Sequence, residues 1–165
     1  MTNKMRKQLS KKEIKELAED IETKIGLTDV ISKKDNVIME DDTIVVNGTI
    51  RFFYKANRII PTLKFIISLG DVFSDKFRSA NLKTITVDKG AIKFVVNGAD
   101  IMRPGITKID DGIDNDDFVI IIDEEHRKPL AIGISLLDSE ELKAAKEGKV
   151  IKNIHYVGDD VWKKC

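Results

Sequence analysis

Asp123-Glu124-Glu125-His126 sets three carboxylates and an imidazole on four successive residues, the side-chain types that acid/base or metal chemistry requires. Neighbouring side chains point in different directions, and Arg127-Lys128 follow at once, so the cluster reads as a charged hairpin turn. Residues 110–117 are equally dense in carboxylates and invite a calcium loop. With Asp110 first, the third ligand position is Gly112, the obligatory glycine position is Asn115 and the closing glutamate position is Ile121, so the pattern fails and a solvated turn is expected. His155 lies in a terminal strand and reads as structural or partner-facing. The sole cysteine, Cys165, can neither pair nor complete a metal cluster, and there is no P-loop and no Gly-x-Ser-x-Gly elbow. Catalysis, a metal and a cofactor are therefore not expected.

What remains is backbone chemistry. Gly98, Ala99 and Gly105 would let a sugar-phosphate approach the main chain without meeting a bulky side chain, and N–H groups exposed at a turn bind anions. Arg103 and Lys108 supply charge, and Met102 or Tyr156 could pack on an unstacked base. The rival reading makes Ile101 and Met102 core and the glycines simple turn residues. Both readings stay open for Met102.

Three kinds of element must hold this stretch. Thr84-Ile85-Thr86-Val87 is a strand, Asp88 caps a helix carrying Ala91, Ile92, Val95 and Val96 on one stripe, and Gly98 ends it. Residues 99–103 could add another helical turn before Pro104-Gly105 redirects the chain into a strand from Ile106. Residues 118–122 and 130–136 are apolar runs joined by a polar hairpin, and their near-continuous hydrophobicity implies that both faces are covered, as in a small closed barrel. Ser139 is expected to cap a short helix ended by Gly148, residues 150–157 to form the last strand, and Trp162 to seal a barrel end.

The first eighty residues have their own logic. Ser10 and Glu13 form a capping box for a helix with Ile14, Leu17, Ala18, Ile21 and Ile25 on one stripe and Gly26 as its stop. Short β-runs follow at 37–39, 43–46 and 49–54, with Asn47-Gly48 as a hairpin turn. Residues 59–67 read as a continuing extended segment, with Pro61 confined to an edge or bulge, and a short helix is expected near 71–77. The expected architecture is α+β, with an N-terminal α+β domain at 1–81, of a size that can fold alone, and a second domain at 82–165.

Charge is balanced overall, 28 Lys+Arg against 28 Asp+Glu, so attraction to nucleic acid must be local. Two biases stand out. Lys4, Arg6, Lys7, Lys11 and Lys12 precede any acidic residue and read as a solvated, partly frayed terminus or a phosphate-contacting arm. Arg51, Lys55, Arg58, Lys64, Lys76, Arg78 and Lys83 face only Asp71 and Asp75 over their span, which reads as solvated strand faces or an RNA-facing surface. No signal-peptide pattern or bilayer-length apolar run is present, and cysteine usage fits a reducing compartment, so a cytoplasmic protein is expected, with no membrane partner.

Residues 85–106, with Pro129-Leu130-Ala131-Ile132-Gly133, Gly148-Lys149 and His155-Tyr156-Val157-Gly158-Asp159, resemble a PUA domain, an RNA-binding module, over roughly residues 82–162. The layout of the whole chain, including Pro61-Thr62-Leu63, resembles the archaeal relatives of the eukaryotic re-initiation factor that partners the density-regulated protein, and the matching part of ligatin. The resemblance implies a β-pseudobarrel behind a family-specific first domain. It also implies RNA contacts at Gly98, Ala99, Asp100, Met102, Arg103, Pro104, Gly105, Lys108 and Tyr156, and a role in translation involving the tRNA 3′ end, the small ribosomal subunit and a density-regulated-like protein. Charge reversal at Arg103 is expected to weaken tRNA binding and spare stability. The rivals are a tRNA- or rRNA-modifying enzyme or its RNA-binding accessory subunit, with Asp20 or Asp71 carrying the chemistry, and a pure protein adaptor.

Overall fold

The computed structural model describes residues 5–165, so Lys4 of the basic arm lies outside the described residues. Helix α1 (Lys11–Ile25) starts at the expected capping box, Glu13 N donating to Ser10 Oγ and Ser10 N to the Glu13 carboxylate, and stops at Gly26 in the left-handed region. It covers an antiparallel meander of five strands in sequence order, β1 (Arg6–Gln8), β2 (Val37–Glu40), β3 (Thr43–Val46), β4 (Thr49–Lys55) and β5 (Arg58–Pro61). Asn47 and Gly48, with φ of 52° and 86°, make the tight turn between β3 and β4.

Three expectations fail in this half. Arg6 and Lys7 do not lie in a frayed terminus: they belong to β1, paired in register with Glu40 and Met39 on β2. The extended segment ends at Pro61, on the edge strand, and residues Leu63–Ser68 form helix α2. Thr62 Oγ1 accepts the Phe65 amide, while Leu63, Phe65 and Ile66 are buried, so capping and burial outweigh the β-preference of the run. The next short helix, α3 (Asp75–Ser79), begins later than the expected 71–77 because Ser74 is its cap.

The second half holds β6 (Thr84–Val87), α4 (Lys89–Val95), β7 (Ile101–Met102), a 3-10 turn at Arg103–Gly105, β8 (Ile106–Ile109), β9 (Phe118–Asp123), β10 (Pro129–Ser135), α5 (Ser139–Ala144), β11 (Lys149–Tyr156) and α6 (Asp160–Lys164). Its sheet runs β7-β11-β10-β9-β6-β8, with β6 parallel to β9. The two edge strands, β7 and β8, are joined by the three residues of the 3-10 turn, which forces the edges together and curls the sheet into a pseudobarrel. Residues 101–105 therefore form a seam, and the helical turn expected at 99–103 is replaced by strand β7 and the start of the 3-10 turn. Asp138 rather than Ser139 caps α5, and that helix stops at Ala144, before Gly148. Ser139 Oγ instead accepts the Ile113 amide and donates to Asp110 O.

The halves share a core. Phe118, Ile120, Ile122 and Ile132 pack with Phe52, Ile60 and Leu63, while Val119, Ile121 and Ala131 point to the barrel interior with Ile85 and Val150. Strand β9 is thus buried on both faces. Trp162 does not close a barrel end: it packs on the shared core, with Lys64 Nζ 4.8 Å from its ring centre. Part of the basic bias of the first half is explained here, since Lys55 donates to Ile154 O, Arg58 to Asp116 O and Lys64 to Cys165 O, three cations seated on main-chain carbonyls of the second half.

Ile120→Ala should lower stability by about 2–5 kcal/mol, and because both cores lean on β9 the chain should still melt in one transition. Calorimetry of the full chain checks this, and two resolved transitions would contradict a shared core.

Candidate nucleic-acid interface

The stretch chosen from sequence is held from three sides. Asp88 accepts the Ala91 amide at the start of α4. At its end Gly98, at φ 89°, reverses the chain, and a Cβ built there would lie 2.8 Å from the Tyr156 ring, so this position needs glycine for conformation and for space. Asn153 on β11 then clamps the turn, donating from Nδ2 to Val95 O and Ala99 O, both at 3.0 Å. Asp100 accepts the Asn153 amide and lies 3.6 Å from Lys149 Nζ.

The seam is equally tied down. Arg103 N donates to Gly148 O and Asp88 N to Gly105 O, joining the turn to both neighbouring strands. The Arg103 guanidinium donates to Leu142 O at 2.7 Å and Ile106 O at 3.2 Å. Its charge is seated inside the fold, so Arg103→Glu would place a carboxylate against two carbonyls and lower stability, contrary to expectation. A Cβ on Gly105 would meet Ala91 at 3.2 Å, which sets how closely the seam packs on α4.

Between α4 and the seam runs a groove of about 720 Å³, lined by Gly90, Ala91, Phe94, Ala99, Asp100, Met102, Pro104, Gly105 and Lys149 among others. Phe94 is 58% exposed and Met102 51%, whereas Ile101 beside it is buried. Of the nine residues named from sequence, Ala99, Asp100, Met102, Pro104 and Gly105 line this groove. Gly98 and Tyr156 pack together at the turn, and Arg103 is anchored in the seam. Lys108 lies on β8 in a different cleft, with Arg78 and Arg127. Phe94 and Lys149 were missed. Phe94 carried a readable signal, a large aromatic off the apolar stripe of its helix, whereas Lys149 is far away in sequence and reaches the groove only through β11 pairing with β7.

The catalytic candidates resolve into local structure. Asp123 accepts the amides of His126 (2.5 Å) and Lys128 (3.1 Å); burial opposes its ionisation, but these bonds hold its pKa below the usual carboxylate range. Asp110 accepts the Thr84 amide and hydroxyl, and Asp117 the Asp114 amide. No group of three or more His, Cys, Asp or Glu that could hold a metal ion occurs among the described residues. His155 is fully buried: its Nε2 accepts the Leu63 amide at the start of α2, and its Nδ1 lies 2.8 Å from Asp159 Oδ2, so the proton sits on Nδ1 and the ring is neutral.

Residues 83–157 match the PUA domain family and residues 5–69 a domain of unknown function, DUF1947. The second half is therefore a PUA pseudobarrel. An uncharacterized protein of Methanocaldococcus jannaschii is 42% identical over 160 residues, 93% of each chain. Translation machinery-associated protein 20 of Schizosaccharomyces pombe is 36% identical over 123 residues, which is 72% of this chain and 63% of that protein. The crystal structure of a hypothetical protein from Pyrococcus horikoshii superposes with a TM-score of 0.80 at 32% identity, covering 97% of this chain and 99% of that one. The chain belongs to the family that joins DUF1947 to a PUA domain and includes translation machinery-associated protein 20.

Burial pushes the His155 pKa below its ordinary value, against the opposing pull of Asp159. The unfolded chain then binds more protons than the folded one below about pH 6.5, so stability is complete above that pH and declines as pH falls. Melting temperatures from pH 7 to 5 should fall, and His155→Gln should flatten the profile; an unchanged slope in the variant would assign the effect elsewhere.

Proposed function

We propose that this chain is a non-catalytic RNA-binding protein of the translation machinery, and that the groove between α4 and the seam receives an unpaired RNA 3′ end, that of a tRNA acceptor arm. The observation that carries the reading is the pair of half-exposed apolar side chains, Phe94 and Met102, lining one groove. Gly90, Ala91, Ala99 and Gly105 leave room there for a sugar-phosphate backbone. An unstacked base needs an apolar or aromatic surface, and its phosphate needs a cation, which Lys149 supplies. Membership of a family with a PUA domain and a translation-machinery relative supports the same reading. The first half is then free to face the small ribosomal subunit or a density-regulated-like protein.

Replacing Phe94 and Met102 together by alanine should weaken binding of a labelled hairpin with a single-stranded 3′ CCA end by about 1–3 kcal/mol. Both side chains are largely exposed, so the melting temperature should barely move. Lys149→Gln should reduce the salt slope of that affinity by about one. Fluorescence anisotropy across a salt series measures both, and equal affinity in the double variant would remove the groove from the reading. Bulk tRNA incubated with the isolated protein should show no newly modified nucleoside by mass spectrometry; turnover would instead support the enzymatic alternative.

A further inference from the structure

A second cleft, of about 400 Å³, lies where the two halves meet, between the loop carrying Phe73 and the β6, β8 and β9–β10 surfaces of the barrel. Phe73 is 48% exposed, and the Arg127 guanidinium stands over its ring, 4.6 Å from the centre. Arg127 occupies the left-handed region, φ 55°, in the turn between β9 and β10, a conformation that glycine or asparagine adopts at less cost. The same cleft is lined by Lys108, Arg78, Glu124 and Asp110, the last of which accepts the Thr84 amide and hydroxyl. None of these three cations is among the basic residues seated on carbonyls across the joint.

We propose that this cleft is a second RNA site that takes one unpaired nucleotide. The base stacks on the platform made by Arg127 and Phe73, and Lys108 and Arg78 neutralise the flanking phosphates. A flat guanidinium lying on an aromatic ring extends the stacking surface and adds charge to it, a pairing suited to any base because every base has a π-face. Glu124 decides between RNA and an acidic peptide. Its carboxylate repels phosphate and peptide carboxylate alike, but it can accept the N–H groups on the edge of a base, which acidic side chains do not offer. The inference rests on the RNA-binding reading above and adds a site on another face, one that Lys108 serves in place of the groove.

The test uses the full chain with two labelled RNAs, an unstructured dodecamer with 2-aminopurine at its centre and the acceptor-end hairpin. Arg127→Gly removes the guanidinium and relieves the backbone, so its melting temperature should hold or rise. Arg127→Gly and Phe73→Ala should each lower affinity for the dodecamer by about 5- to 100-fold and abolish the quenching of 2-aminopurine that stacking produces. If both variants bind and quench like the native protein while the Phe94 and Met102 variant loses the hairpin, the cleft proposal is overturned and the groove reading stands. If the native protein binds neither RNA, both fall. Binding of a polyglutamate peptide that these substitutions abolish, with RNA affinity unchanged, would overturn the proposal in favour of a protein partner.

Discussion

Closure of the barrel depends on three residues. The edges of an open sheet carry unpaired N–H and C=O groups, and here the edges are two consecutive strands separated only by Arg103, Pro104 and Gly105. Proline presets the backbone, Gly105 permits close approach to Ala91, and Arg103 ties three parts of the fold together through its amide and guanidinium. Without this seam, nothing would hold β7 and β8 near one another and α4 would lose the surface it packs on. The seam is one wall of the groove proposed to bind RNA, so that surface gains the rigidity of a closed barrel.

The second organising fact is that the halves are not joined by a passive linker. Alternate residues of β9 serve two cores, His155 of the barrel caps the first turn of α2, and three cations of the first half end on carbonyls of the second. A lysine or arginine seated on carbonyls leaves no counter-charge to be found in the sequence. Three of the four basic residues from Arg51 to Lys64 thus serve the joint between the halves, while Arg78 and Lys108 do not.

Much of this was readable in the sequence where the determinants are local. The capping box at Ser10, the Asn47-Gly48 turn, the Asp88 cap and the doubly buried β9–β10 pair follow from spacing within a few residues. Two of the failures depend on distant partners. Helix α2 depends on a buried histidine 92 positions away that accepts its first free amide, which no local pattern records. The α5 cap slipped from Ser139 to Asp138 because the serine is recruited by Ile113 and Asp110 across the fold. The site shows the same division: the turn glycines were evident, but Lys149 is brought to the groove by strand pairing, and Arg103, whose charge seemed available, is held by carbonyls that only the folded chain supplies.

The doubly buried β9 also dictates an order of events during synthesis. Residues 6–61 can form the first meander and α1 as soon as they emerge, yet their packing surface around Phe52 and Ile60 is completed only by Phe118, Ile120, Ile122 and Ile132. At ordinary elongation rates of about 5–20 residues per second, the nascent first half waits several seconds with that surface open. The exposed face belongs to an unfinished molecule, and it is then that a chaperone, or a second nascent copy, has access to a surface the finished protein never shows.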